Sequence, residues 1–159
     1  MPAGPTYEPI ATTTTSGTSS VTFSSIPQTY TDLVLIVNTF EPSNYASMSI
    51  TVNGDTSSSY SGTRMTGDGS SAASGSSANS TNWYVSQIWD GTVVRVNIMN
   101  YTNTNVFKSA ISRGDASGQW AMASSHLWRN TNAITSLTVS RGGNFASNST
   151  FTLYGIKSA

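Results

Sequence analysis

The chain of 159 residues contains no cysteine and a single histidine, His126. The first absence excludes disulfides and thiolate-ligated metals as sources of stability and leaves the redox compartment unread. The second excludes a metal site built on two histidines of one chain. Charge is scarce as well: Asp, Glu, Lys and Arg together make 9% of the residues, seven basic against seven acidic. Such a surface has no field with which to gather phosphates or an anionic membrane, so neither nucleic acid nor membrane is expected as a partner. The main apolar run, Leu33–Val37, is five residues long, against the roughly 18 that a membrane helix needs. The opening "MPAGPTYEPIATTTT" has no basic stretch followed by an apolar one, so no export signal is read there, and work outside a cell would call for release by another route such as lysis. Helical periodicity is hard to find.

What the chain does have is hydroxyl and amide. Ser, Thr and Asn account for 65 of the 159 residues, so the polar surface is built from neutral groups. Short runs rich in Thr, Val, Ile, Tyr, Phe and Trp are separated by Gly, Asn, Asp and Ser, the signature of an all-β chain. The length suits one domain with one core. The clearest strand is "ASMSITV" at 46–52, where Ala46, Met48, Ile50 and Val52 alternate with hydroxyls. A hairpin signal, Asn53-Gly54-Asp55, follows at once. Further strands are expected at 7–11, 20–26, 31–40, 82–89, 92–101, 106–114, 119–128, 134–141 and 149–157, about ten in all. Their spacing predicts an antiparallel β-sandwich of jelly-roll type, with an up-and-down barrel as second choice.

Three stretches depart from plain alternation. Pro27 fixes φ and Asp32 bonds nearby amides, a turn that launches Leu33–Val37. That run is apolar on both faces, so its outer face needs a cover: another subunit, a loop or a terminal arm. Pro2, Pro5 and Pro9 favour an extended N-terminal arm over 1–15, ahead of the sandwich at 16–159. The stretch "GDGSSAASGSSANST" at 67–81 has no apolar anchor and is expected to be a mobile loop.

Candidate chemistry is thin. His126 has no nucleophile-elbow motif to serve, and on its strand it shares a face with Trp128, which points to a structural or interface role. Glu8 and Glu41 each adjoin a proline and the five aspartates sit mostly at turns, so no carboxylate pair for glycoside hydrolysis is read. Asp55 and Asp68 lie among Gly, Asn and Ser without the spacing of a calcium loop, and turn chemistry is the better reading. The acceptor triplets at Asn79, Asn100 and Asn148 are expected by chance in such a composition. No catalytic residue, metal or cofactor is therefore predicted. The aromatics carry more: Trp83, Tyr84, Trp89, Trp120 and Trp128 fall on strands, and with Tyr7, Pro9 and Ile10 of the arm they are the candidate interface residues. Trp83 and Tyr84 are neighbours, so one of them faces away from the core that the other fills.

The phrases "SIPQTYTDLVLIV", "NGDTSSSYS" with its Gly/Ser stretch, "NAITSLTVSRGGNF" and "STFTLYGIKSA" together resemble a module of structural proteins of tailed bacteriophages, including phages of cyanobacteria and marine bacteria, over roughly residues 7–157. The motifs carry packing and no chemistry. In that family the module ends larger tail-fibre-like proteins or stands alone in the virion, and this chain has no shaft, collagen-like repeat or heptads. The resemblance implies a capsid decoration (cement) protein on the outside of the phage head, a homotrimer bound to the major capsid protein. The alternative it leaves is a tail-fibre or receptor-binding appendage that recognises host glycan.

Overall fold

The computed structural model describes residues 6–40, 45–89, 91–116 and 120–157. They form an all-β sandwich of twelve strands and no helix: β1 (Tyr7–Thr14), β2 (Ser20–Phe23), β3 (Asp32–Asn38), β4 (Ala46–Val52), β5 (Tyr60–Gly67), β6 (Ala72–Ser80), β7 (Trp83–Ile88), β8 (Val93–Met99), β9 (Lys108–Ala116), β10 (Trp120–Trp128), β11 (Leu137–Arg141) and β12 (Thr150–Ile156). Every pairing is antiparallel, in an eight-stranded sheet of order β1-β12-β3-β8-β9-β10-β5-β6 and a four-stranded sheet of order β2-β11-β4-β7. Without β5, β6, β9 and β10, two blocks of four remain, β1-β12-β3-β8 facing β2-β11-β4-β7. The two hairpins left out widen only the larger sheet.

The core lies between the sheets and follows the period of two. Ala46, Met48, Ile50 and Val52 of β4, Val94, Val96 and Ile98 of β8, and Leu137 and Val139 of β11 all point inward and are buried. Aromatic rings fill the wider gaps. Tyr60 meets Trp83 edge-on at 6.1 Å and stacks on Trp128 at 6.4 Å, while Phe145 meets Phe151 edge-on at 4.8 Å. Two of the buried polar ring ends find partners: the Trp128 indole N–H donates to Asp55 Oδ2 at 2.7 Å, and the Tyr60 hydroxyl donates to the Asp55 carbonyl at 2.8 Å. Burial of that phenol pushes its pKa up to about 12.

Several expectations change here. The stretch 67–81 is not a mobile loop: it closes a hairpin and becomes β6, registered along β5 from Gly67↔Ala72 to Tyr60↔Ser80. Backbone pairing and polar side-chain bonds order it, which apolar anchors could not signal. Its turn is held by the Asp68 carboxylate, which accepts from the Ser70 and Ser71 amides at 2.9 and 2.6 Å, with Gly69 at φ 88°. The strand expected at 7–11 is present as β1 and runs on to Thr14 along β12, so residues 7–14 belong to the sandwich and not to an arm ahead of it; the arm's first five residues lie outside those described. The strand is fixed by backbone bonds and by Lys157, whose ammonium donates to Glu8 at 2.7 Å beside the Tyr30 hydroxyl. At Asn53-Gly54 the tight turn forms, with φ of 51° and 67°, but the chain then crosses to the other sheet rather than folding back as a hairpin. The Asn53 side chain instead bonds Ala133, Thr135 and Ser136. Asp32 caps no local turn: its carboxylate accepts from the Asn100 amide at 2.7 Å.

The outer face of Leu33–Val37 is covered from within the chain at Val34, while Ile36, the other outward residue, is half-buried. Val34 is registered between Tyr154 and Asn97. The Tyr7 ring packs edge-on against Tyr154 at 6.2 Å, and the Arg95 guanidinium donates to the Tyr7 hydroxyl at 2.6 Å. Val34 is 2% exposed as a result, with the first strand supplying the lid.

Candidate functional site

Titratable side chains are arranged as structure. His126 is buried among Trp83, Ser112 and the β5 backbone. Its Nε2 lies 2.8 Å from Ser112 Oγ, and that hydroxyl donates to the Val85 carbonyl at 2.8 Å. The serine proton is thus committed to backbone, so the imidazole donates to the serine and activates nothing. Burial lowers the His126 pKa to about 4. Asp55 and Asp68 are turn caps as expected, and hydrogen bonds from their neighbouring serines hold both carboxyls below the usual range. No group of three or more His, Cys, Asp or Glu occurs among the described residues.

The aromatic candidates separate into three groups. Trp83 and Trp128, each 1% exposed, are core residues and are corrected from interface to packing; both lie on inward positions of β7 and β10. Tyr84, the outward neighbour of Trp83, is half-buried with the Arg64 guanidinium over its ring at 5.2 Å. Trp120 is half-buried with its indole nitrogen enclosed, and Ile10 packs against the core. Pro9 is exposed on β1, and Tyr7 is exposed but engaged with Arg95 and Tyr154.

Trp89 is the most exposed of the tryptophans, and it has company. Its ring lies 6.0 Å from that of Tyr45, and Phe40 follows the end of β3 at the same pole. Tyr45 and Phe40 are more than half exposed. The platform beneath is rigid for chemical reasons. Buried Thr92 accepts from the Trp89 amide at 2.8 Å and donates back to the Trp89 carbonyl at 3.0 Å, closing the turn around Gly91. Buried Thr39 ties β3 to this turn through its amide, which donates to Thr92 at 2.9 Å. Three large rings are thereby displayed on a fixed base, the arrangement expected of contact anchors rather than of a mobile loop.

A second feature lies beside this pole. The outer face of the larger sheet is concave from β3 to β6 and encloses about 1030 Å³. Small residues, Ala121, Ala123 and Gly67, make its floor, with Ile36, Met65 and Val93 around them. Arg95 and Arg113 are direct cross-strand partners on that face. Sequence reading had not singled out Phe40, Tyr45 or this pair. Phe40 and Tyr45 lie outside the strands and join no alternation, while the arginines come together only through strand register.

No protein-family model matches the chain, and no curated protein matches it.

Proposed function

We propose that the chain is a structural protein of a tailed-phage virion, a capsid decoration protein that binds the outer surface of the mature head as a homotrimer. On this reading it is no enzyme: it clamps the major capsid protein and resists expansion pressure, and binding that favours the mature lattice stabilises it by mass action. The observation that supports the reading best is the Phe40, Tyr45 and Trp89 cluster on a neutral sandwich coated with hydroxyls. Exposed rings on a rigid base supply adhesion, and repetition over three subunits multiplies it. We read the two facing blocks of four strands as a jelly-roll frame, an architecture used by viral shell proteins among others.

The test is microscopy and heating of phage particles with and without the gene. Density for this chain on the head in hundreds of copies, with earlier release of DNA on heating the deletion particles, is the expected result. A handful of copies at the tail and loss of adsorption would transfer the reading to a glycan-recognising appendage, where the tilted pair of Tyr45 and Trp89 would stack on sugar.

A further inference from the structure

We propose that the concave outer face of the eight-stranded sheet is a docking groove for an extended partner polypeptide that alternates apolar and acidic side chains, with Arg95 and Arg113 receiving a carboxylate. The groove runs over six strands from β3 to β6, roughly 24 Å at the usual strand separation. That span suits several residues of extended chain. Met65 and Val93 are 66% and 43% exposed there, so apolar surface awaits cover.

Charge selects the occupant. Like charges directly opposite one another on a sheet are destabilising, yet Arg95 faces Arg113 in register. Among the described residues the only ion pair is that of Lys157 with Glu8, so neither arginine has a carboxylate of those residues within 4.0 Å. Arg95 is pre-positioned, its Nε donating to Asn97 at 2.9 Å and its Nη2 to Tyr7 at 2.6 Å. Arg113 is exposed, and its fork is free for bidentate contact. Asp115 lies on the same face opposite Val93, so it repels a second carboxylate at that end and fixes the direction of the bound segment. The groove lining contains no aromatic ring on which a sugar could stack, and one arginine pair beside an aspartate is too little positive charge for a nucleic acid backbone. This inference stands apart from the virion reading, because it concerns only the isolated chain.

The experiment titrates the isotope-labelled full chain, followed by NMR, with an acetylated eight-residue peptide alternating Leu and Glu. A Leu/Gln peptide, octanoate and inorganic phosphate are titrated in parallel. The expected result is a set of shifts at Ile36, Ala121, Ala123 and the arginine Nε–H signals with the Glu peptide. Arg113→Gln should weaken that binding about tenfold while leaving the rest of the spectrum in place, and raised salt should weaken it too. Arg95→Gln is the second variant, read against the retained Tyr7 and Tyr154 signals. Equal binding of the Gln peptide, unchanged binding by Arg113→Gln, no shift with either peptide, or shifts with octanoate or phosphate alone would each overturn the proposal.

Discussion

Lowering the pH from 7 to 5 should destabilise the protein through one residue. His126 is the sole histidine and is held neutral by burial, its pKa lowered to about 4 from 6.5. In the unfolded chain the same imidazole titrates near 6.5. As pH falls below that value the unfolded state takes up a proton that the native state refuses, so stability is complete above about pH 7 and drains away down to the folded pKa. Linkage between those two values gives a loss of roughly 2 kcal/mol at pH 5 and about 3 kcal/mol near pH 4. With a urea m-value of about 2 kcal/mol/M, the midpoint should fall by roughly 1 M between pH 7 and 5. The carboxylates with lowered pKa, Glu8, Asp55 and Asp68, lose their contribution mainly below this window. His126→Gln supplies the baseline: it should start less stable, having altered the bond to Ser112, but its midpoint should hardly move between pH 7 and 5. If both proteins lose the same amount over that range, the buried neutral imidazole is not the source and the reasoning is wrong.

Other outcomes follow from contacts described above. A Cβ at Gly114 would lie 2.3 Å from buried Ser86 Oγ and 3.2 Å from Val94 Cγ2, so Gly114→Ala should cost about 1–3 kcal/mol in a denaturation curve. Gly75→Ala meets only the end of the Arg64 side chain at 3.0 Å and should change the same curve by less than about 1 kcal/mol. The buried Lys108 ammonium donates to the carbonyls of Asn103, Val106 and Thr131. Lys108→Met should therefore cost about 2–4 kcal/mol, read as a lower Tm, by orphaning those carbonyls. Trp89→Ala should leave Tm within a few degrees of the parent, since the ring is partly exposed, yet reduce attachment to deletion particles on the order of 30-fold in a binding assay.

Alternation carried most of the fold into view. β4 was read at its observed limits, 46–52, because one buried face and one hydroxyl face make the period of two plain. β5 and β6 were missed together: they hold little apolar surface, and their order comes from main-chain pairing, to which side-chain patterns are blind. The Gly67-Asp68-Gly69 turn signal was present but had no flanking hydrophobics to give it meaning. At the candidate site, Trp89 was legible as an aromatic at a strand end. Its fellow tryptophans were not separable from it, since Trp83 and Trp128 satisfy alternation equally well pointing in or out until the facing sheet is known. The concave groove depends on register across six strands, a relation with no local trace.

The register Tyr7↔Ile156 has a mechanical consequence. Both chain ends of the sandwich leave at one corner, while Asn38↔Thr150 places Phe40 and Trp89 at the far end of the same strands, roughly 20 Å away along seven residues of β12. Any polypeptide fused before the first strand or after the last would thus hold the domain by its foot, leaving the ring cluster pointing away from the tether and free to grip.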